Sequence, residues 1–261
     1  MVDAYAAIAP FYDLEFADFD ADVDLYLGYA GVVGSPILEL GCGTGRLLVP
    51  LASAGYQVSG LDVSPAMIAI ARERLEGSGL ARVELDVGNI TDLSVYPSAH
   101  FRLVFAAINS FLHLESREDQ LAALQEVRRV LHEDGILVLD VFHPTPAVLQ
   151  ALDDQLRLDG QWGLPDGARL DRLSHRRLHV AAQRIDTTLY YDRTNAAGTL
   201  SRTVAEYATR YIHRFEMESL LSEAGYGIEG VYGSYQLDPL DDSSAVMVFV
   251  AHGRPDGDGL L

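Results

Sequence analysis

Residues 37–46, ILELGCGTGR, combine a largely apolar run with glycines at every second position. Gly41, Gly43 and Gly45 have no side chain, so a turn built from them lets a ligand approach the backbone closely. In parallel α/β sheets, the turn after the first strand binds nucleotide-like ligands at the start of the next helix. Residues 41–46, hereafter the glycine turn, therefore predict a site for a nucleotide or a nucleoside.

The spacing of these glycines discriminates between ligands. A dinucleotide-binding fingerprint, G-x-G-x-x-G, needs a third glycine where this chain has Arg46, because close packing of helix on strand depends on it. The phosphate-loop pattern G-x-x-x-x-G-K-[ST] is also absent from this segment. A nucleotide-dependent oxidoreductase that uses NAD is therefore the less favoured alternative.

The segment ELGCGTGR closely resembles the first motif of the class I S-adenosylmethionine (SAM)-dependent methyltransferases. The resemblance covers about residues 5–142 and implies that the glycine turn binds SAM, with S-adenosylhomocysteine (SAH) as the product. Downstream, GNITDL resembles the family's GDxxDL pattern, and AAINSFLHL resembles the wall beside the methionine part of SAM. Within the first motif, the implied contacts are Glu39, Gly41, Cys42 and Gly43.

The resemblance also implies roles for residues further along the chain. Asp62, at the end of the second predicted strand, would accept hydrogen bonds from both ribose hydroxyls. Asn89 replaces the acid that receives the adenine amino group, although its amide oxygen still accepts, and Ile90 would lie against the adenine. Asn109 would lie near the transferring methyl group and the substrate, and Arg46 either binds the carboxylate of SAM or caps a helical turn. The remaining implied contacts are Val63 and Met67.

Two regions outside the core are expected to cover the ligand. The N-terminal segment YAAIAPFYD resembles the lid of many small-molecule methyltransferases, which would place Tyr5 and Tyr12 over SAM; aromatic packing on a surface helix is the alternative. The insertion after Phe142 is predicted to begin with a loop and a short helix, up to about residue 168. It then continues as antiparallel strands that roof the pocket, as in small-molecule N-methyltransferases. In EYATRYIH, alternation puts Tyr207 and Tyr211 on one face, and Tyr211 is the favoured substrate contact. A dimer interface or plain sheet packing is the alternative for that face.

Methyl transfer also constrains the substrate side. The acceptor must present a lone pair, so an amine has to be neutral and a hydroxyl needs a base, for which histidine is suited. His113 and His143 are the candidates, because both follow the carboxyl ends of predicted parallel strands, where ligands bind in such sheets. The alternative for each is an ordinary hydrogen-bonding role.

Short β-rich runs alternate with helical patterns from Ser35 to Phe142, which predicts a parallel sheet with crossover helices. With two closing strands, we expect an α/β fold with a doubly wound, seven-stranded, mostly parallel sheet and an inserted antiparallel β-region. The predicted helix at 117–135 ends at a glycine stop. We expect one methyltransferase domain over 1–261, with a helical lid (1–34), a cofactor-binding core (35–142), a loop and antiparallel-strand insertion (143–213) and closing elements (214–252).

The composition argues against several classes of binding partner. The formal net charge of −19, with no lysine among the 19 basic residues, argues against nucleic acid. Cys42 is the only cysteine, which excludes an intramolecular disulfide and a cysteine-rich metal site, and we predict no metal. The N-terminal residues lack a secretory signal, and no segment approaches the roughly 20 apolar residues of a membrane span. We expect a cytoplasmic monomer or homodimer with no membrane partner.

The leading hypothesis is a SAM-dependent methyltransferase for a small-molecule methyl acceptor. N-methylation is slightly favoured over O-methylation, and C-methylation comes third. A protein that binds SAM or SAH as a sensor, without turnover, is the alternative from another functional class.

Overall fold

The computed structural model describes residues 3–80 and 82–254, which form two β-sheets and the helices around them. The first two residues of the predicted lid and the last seven of the chain lie outside these ranges. The helices are α1 (Ala9–Glu15), α2 (Val23–Val33), α3 (Leu48–Ser53), α4 (Pro65–Gly77), α5 (Arg117–Val130), α6 (Pro146–Leu152) and α7 (Arg214–Glu223). The strands are β1 (Ile37–Leu40), β2 (Val58–Asp62), β3 (Glu84–Val87), β4 (Phe101–Ala106), β5 (Leu131–Phe142), β6 (Leu156–Gly163), β7 (Arg169–His179), β8 (Arg184–Thr194), β9 (Leu200–Arg210), β10 (Tyr226–Tyr232) and β11 (Val246–Gly253).

The larger sheet has seven strands in the order β3-β2-β1-β4-β5-β11-β10. The first five strands in this order are parallel to one another, and β11 is antiparallel to both β5 and β10. The expected seven-stranded, mostly parallel α/β fold is therefore confirmed. Strands β2 and β3 are added on one side of β1, and β4 and β5 are added on its other side, so the strand order reverses between β1 and β4. In such sheets, ligands bind at the carboxyl ends of the strands at this switch point.

Helices pack on both faces of this sheet. Leu38 of β1 lies in a core cluster with Leu124 of α5 and Leu220 of α7. Its neighbour Ile37 points to the other face, into a cluster with Leu48 of α3 and side chains of α2. Of the described helices, none combines the length and apolar character that crossing a membrane requires.

The inserted region forms a second, antiparallel sheet in the order β6-β7-β8-β9, hereafter the roof sheet. One of its faces packs on α1 and the residues before it. Leu170 and Leu189 of the roof sheet share a buried cluster with Ile8, and the ring of Phe11 stacks on Tyr191 at 4.3 Å between centroids. The insertion therefore covers the N-terminal helix.

Helix α5 ends at Val130, five residues before the predicted stop, so that prediction was wrong. Leu131 instead begins β5, is buried and pairs with Phe101 of β4. A Cβ atom at Gly135 would lie 2.9 Å from the carbonyl oxygen of Phe101. The glycine that reads as a helix stop thus permits a close approach between two strands.

Two features of the insertion also differ from expectation. Strand β6 falls in a segment predicted to be loop and a short helix; its side chains are largely exposed, and a bulge between Leu158 and Gly160 breaks the alternation that identifies a strand. Strand β9 ends at Arg210, so Tyr211 and His213 lie beyond it and the strand alternation does not apply to them.

Candidate active site

The glycine turn follows β1 at the switch point of the sheet. Gly41, Gly43 and Gly45 have φ angles of 68°, 53° and 77°, in the left-handed region that glycine tolerates best. A Cβ atom at Gly41 would lie 2.8 Å from the Cβ of Ser110, in the segment after β4. The glycine is required there because the loops that follow β1 and β4 are in contact.

Asp62 ties the end of β2 to the glycine turn. Its Oδ2 accepts a hydrogen bond from the Gly43 backbone N–H (2.8 Å), and its Oδ1 accepts one from the Ser64 N–H (2.8 Å). Burial raises the pKa of Asp62, and these two N–H donors oppose the rise. Each carboxylate oxygen retains a further lone pair, so the group remains able to accept hydrogen bonds from hydroxyls of a ligand.

Glu39 precedes the glycine turn at the end of β1, and Arg46 is the last residue of the turn. Glu39 is buried, and its Oε2 has no hydrogen-bond partner among the described residues. Burial raises its pKa well above the usual range, and the charge of Arg46 opposes this. A buried acceptor without a donor is costly, and it suits the ammonium group of a ligand. Both the glycine cradle and this orphaned oxygen therefore fit SAM.

Arg46 itself forms a bidentate ion pair with the buried Asp22. Its Nη1 donates to Oδ1 at 2.8 Å and its Nη2 donates to Oδ2 at 2.6 Å. The guanidinium also lies over the ring of Phe19, 5.2 Å from its centroid. The N–H edge of the guanidinium thus binds Asp22 and its flat face covers Phe19. Both residues belong to the N-terminal region, so these contacts hold that region against the glycine turn.

A left-handed kink follows β4. Ile108 and Asn109 have φ angles of 46° and 66°, which cost energy in residues other than glycine. Asp140 of β5 holds this kink, because its Oδ2 accepts from the Ile108 N–H (2.9 Å) and its carbonyl accepts from the Asn109 N–H (3.2 Å). The Asn109 side-chain oxygen in turn accepts from the Phe142 N–H at 2.6 Å. The backbone of the predicted substrate wall is therefore fixed by the end of β5.

Asp140 is buried and collects two further donors. The hydroxyls of Tyr26 and Tyr235 both donate to its carboxylate, the latter at 3.1 Å. Burial raises the pKa of Asp140 to about 6, and the hydrogen bond from Tyr26 opposes the rise. Sequence analysis missed this residue, although a single acid inside the apolar run ILVLDVF was a signal for it.

His113 ends a 3-10 turn (Ser110–His113) beyond the kink. Its Nδ1 shares a hydrogen bond of 2.8 Å with the Tyr5 hydroxyl, and its ring lies 5.2 Å from that of Tyr207, between centroids. Burial lowers the pKa of His113 to about 4, so the imidazole is neutral at pH 7. The N-terminal segment, the segment after β4 and the roof sheet thus meet at this histidine.

The N-terminal segment lies across the glycine turn. A Cβ atom at Gly43 would be 3.8 Å from Cε1 of Tyr12, which puts the Tyr12 ring beside the turn. Asp3 accepts hydrogen bonds from the Ser64 hydroxyl (2.8 Å) and the Ala66 N–H (3.3 Å), at the start of α4. Sequence analysis identified the tyrosines of this segment and missed the Asp3 contact.

Other cofactor contacts implied by the sequence lie around the same edge. Cys42 is buried in the core, and Met67 is buried beneath the N-terminal segment. Val63 is 46% exposed and Ile90 is half-buried, so both have apolar surface to offer a ligand. The exposed Asn89 uses its side-chain oxygen to accept from the Thr91 N–H at 3.0 Å.

Two predicted substrate-side residues have other contacts. His143 Nδ1 is 3.1 Å from the Ser244 carbonyl oxygen, at the start of β11. Tyr211 is buried, and its ring meets the edge of His213 at 5.6 Å. Of the two tyrosines assigned to one face, the structure brings Tyr207 to His113.

Potential metal ligands lie elsewhere in the described part of the chain. One cluster consists of His132, Glu133 and Asp134, at the amino end of β5, whereas the glycine turn lies at the carboxyl ends of the strands. Exposed acids commonly cluster in this way without binding an ion. His175 and His179 are four residues apart on β7, and each pairs with an acid of its own, at 3.2 and 2.9 Å.

The chain is similar in sequence and in fold to known methyltransferases. A family model described as a methyltransferase domain matches residues 37–135. A ubiquinone biosynthesis O-methyltransferase of Actinobacillus pleuropneumoniae serotype 7 (strain AP76) is 30% identical over 115 residues, 44% of this chain and 49% of the relative. An uncharacterized methyltransferase of Bacillus subtilis (strain 168), YrrT, is 34% identical over 122 residues, 46% of this chain and 54% of the relative. The chain spans about half the length of the curated relatives it matches.

Solved structures share the fold over nearly the whole chain. The CcbJ methyltransferase of Streptomyces caelestis has a TM-score of 0.78 at 24% identity, over 97% of this chain and 99% of that chain. The sugar N-methyltransferase KedS8 of Streptoalloteichus sp. ATCC 53650 has a TM-score of 0.74 at 19% identity, over 94% and 93%. At these identities the likeness establishes the fold. Residues 37–135, which contain the glycine motif, thus match a methyltransferase domain, and the described chain has the same fold as solved methyltransferases.

Proposed function

We propose that this protein transfers a methyl group from SAM to a nitrogen atom of a small molecule, with oxygen as the second choice of acceptor atom. The observation that carries the proposal is the pair of acids flanking the glycine turn. Asp62 keeps free lone pairs beside Gly43, and Glu39 has an orphaned oxygen. An acceptor for hydroxyls and an acceptor for an ammonium group beside one turn suit the ribose and the amino group of SAM.

The residues around the glycine turn bind different parts of SAM. Asp62 accepts from the ribose hydroxyls, and Glu39 accepts from the amino group of the methionine part. Asn89, Ile90 and Val63 line the adenine end, where the two apolar side chains have surface to cover. Backbone contacts come from Gly41, Cys42 and Gly43. Met67 packs in the first turn of α4, and Tyr12 covers the glycine turn. Arg46 acts indirectly, since its guanidinium holds Asp22.

SAM supplies a methyl group activated by a sulfonium, and the chain has to align an acceptor with it. Transfer is an in-line displacement, so positioning and the exclusion of water provide most of the rate. Asn109, held at the left-handed kink, forms the wall behind the acceptor. Tyr5, Tyr12 and Tyr207 close the space against water.

The state of His113 favours a nitrogen acceptor. A histidine with a pKa of about 4 is neutral at pH 7, yet it is a weak base for removing a proton from a hydroxyl. A neutral amine already presents its lone pair and needs no base. In the tautomer whose Nδ1–H donates to the Tyr5 hydroxyl, His113 accepts a hydrogen bond from the acceptor N–H at Nε2 and orients it. His143 and Tyr211 border the acceptor space more remotely.

The expected division of the chain is part of this proposal. Residues 1–34 act as the lid and residues 35–142 bind SAM. Residues 143–213 roof the acceptor space, and residues 214–252 complete the sheet. The protein acts on its small molecule as a monomer or a homodimer.

Calorimetry and product analysis test the proposal. SAM and SAH should bind with micromolar or tighter Kd, and NAD should not; binding of NAD alone would overturn the proposal. Incubation with methyl-labelled SAM and a metabolite extract should yield a labelled small molecule, identified by mass spectrometry. Binding of SAM and SAH with no labelled product across amine and hydroxyl panels would indicate a sensor instead.

A further inference from the structure

The inner face of the roof sheet brings arginine next to the acceptor side of the site. Arg176 of β7 pairs with Thr187 of β8, and Thr187 pairs with Tyr207 of β9. Residues directly opposite in antiparallel strands project to the same face, with Cβ atoms roughly 5 Å apart. Arg176 therefore lies in one row with Tyr207, whose ring contacts His113 and Tyr5. Burial raises the pKa of Tyr207, and the charges of Arg176 and Arg172 oppose this rise.

A second arginine stands on the same face, two rows away, with the row of Ser174 and Leu189 in between. Arg172 pairs with Tyr191, and both bind Glu15 of α1, through Arg172 Nη1 at 2.5 Å and the Tyr191 hydroxyl at 2.5 Å. The Nε of Arg172 is buried and has no hydrogen-bond partner among the described residues. Nη1 of Arg172 thus donates to the N-terminal helix, while its buried Nε–H is unpaired among the described residues.

Asp159 lies between the two arginines without a hydrogen bond to either. Its Oδ2 is 3.7 Å from Arg172 Nη2 and 3.8 Å from Arg176 Nη2. The other contact of the Arg176 guanidinium is with the Ser174 hydroxyl, at 2.8 Å. Asp159 sits in the bulge of β6, the edge strand of the roof sheet. Two half-buried guanidinium groups thus face a carboxylate at more than hydrogen-bonding distance.

We propose that Arg172 and Arg176 bind an oxyanion of the methyl acceptor, a carboxylate or a phosphate, in the space that Asp159 borders. The inference rests on the proposed function and adds a substrate class: an amine that also carries an anionic group. Guanidinium groups bind such oxyanions through paired, charge-assisted hydrogen bonds. With the oxyanion on these arginines, the amine is directed along the row past Tyr207 toward His113.

Anion binding to the SAH-saturated protein tests this site directly. Sodium acetate and potassium phosphate are the probes, titrated in a calorimeter at constant ionic strength. The wild-type protein should bind at least one of them, and Arg176→Gln should weaken that binding about tenfold or more. Arg177→Gln is the matched control, because Arg177 is exposed on the opposite face of the same strand. The stronger probe indicates whether the acceptor carries a carboxylate or a phosphate.

Asp159→Asn provides a readout that a purely structural role would not give. Removing the competing carboxylate should strengthen acetate or phosphate binding severalfold, although it removes an ion pair. Absence of binding to wild type, or equal binding by the wild type and Arg176→Gln, would overturn the inference. Thermal melting of each variant separates lost binding from lost folding.

The labelled product gives an independent answer. Its fragmentation in the mass spectrometer should show a carboxylate or a phosphate group, and Arg176→Gln should reduce its formation at least tenfold while Arg177→Gln leaves it unchanged. A labelled product without an anionic group would overturn the inference and leave the proposed function standing. Arginine-dependent anion binding with no product in any extract would support the site and count against methyl transfer.

Discussion

The carboxylate of Asp140 accepts the backbone N–H of Ile108 at 2.9 Å, so the end of β5 holds the left-handed backbone at the end of β4. The same carboxylate receives the hydroxyls of Tyr26 and Tyr235. One buried side chain therefore connects α2, β5 and the segment after β10 to the wall of the acceptor space. The orientation of Asn109 depends on an acid that does not need to touch a ligand.

Replacing Asp140 with Ala should lower the free energy of unfolding by roughly 2–4 kcal/mol, because three buried donors lose their acceptor. Tyr235→Phe, which removes one of those donors, should cost about 1 kcal/mol. Urea denaturation followed by circular dichroism measures both. Equal stability of Asp140→Ala and wild type would mean that this carboxylate does not hold the kink.

Stability between pH 4 and 6.5 should reflect two opposing groups. His113 has a pKa of about 4 in the folded protein against about 6.5 in the unfolded chain, so the unfolded chain binds more protons and stability rises with pH. Asp140 has a folded pKa of about 6 against about 3.9 unfolded, so stability falls with rising pH over that window. Each contribution is of the order of 3 kcal/mol.

Single variants should therefore tilt the pH profile in opposite directions. His113→Gln should make the free energy of unfolding fall more steeply as pH rises from 4 to 6, and Asp140→Asn should make it rise more steeply. Urea melts at half-unit pH steps measure the slopes. Parallel profiles for the two variants and wild type would contradict both assignments.

Asp62→Ala should weaken SAH binding by about 1.5–3 kcal/mol, the usual loss for a hydrogen bond to a charged group. Glu84→Ala is a suitable control, because this exposed acid lies at the amino end of β3, whereas Asp62 lies at the carboxyl end of β2. Calorimetry gives the affinities. Unchanged affinity in Asp62→Ala would place the ribose away from the end of β2.

Glu39→Gln should separate stability from binding. The isosteric amide removes a buried charge that burial disfavours, so the ligand-free protein should be as stable as wild type or more stable at pH 8. The affinity for SAM should fall about tenfold, because the acceptor for the ammonium group loses its charge. Thermal melts with and without SAM report both quantities; a variant that loses stability and keeps its affinity would refute this role.

His113→Ala should lower kcat about tenfold, the loss of one orienting hydrogen bond, while SAM affinity changes little. The pH dependence is the sharper measurement. If neutral His113 orients the acceptor, its protonation limits activity only near pH 4, whereas a base of ordinary pKa would cause a loss near 6.5. An acidic limb near 6.5 that disappears in His113→Ala would instead favour a general base.

The sequence predicted the fold more completely than the site, for identifiable reasons. Glycine spacing and strand-helix alternation are local patterns, and they correctly predicted the seven-stranded sheet. Contacts such as Asp3 with Ser64 or Arg46 with Asp22 join distant segments, and no local pattern encodes them. Strand β6 escaped notice because an exposed edge with a bulge has no alternation of buried side chains.

Local patterns also failed to show which of two tyrosines, Tyr207 or Tyr211, lies at the site. Both lie on one face if the strand continues to residue 213, and the spacing alone cannot rank them. Strand β9 ends at Arg210, after which the backbone of Tyr211 pairs with Gln183 and its ring is buried. Where a strand stops depends on its tertiary partners, which a pattern of residue types does not contain.

Under the proposed function, the contact between Gly41 and Ser110 sets how far the methyl group must travel. The glycine turn, assigned to the donor, and the segment after β4, assigned to the acceptor, are in direct steric contact, with no room for even one carbon at position 41. Salt and acidity, which weaken ion pairs, leave such a spacer unchanged. A bulkier residue at 110 would act as a wedge, widening the jump between donor and acceptor without altering a single charged group.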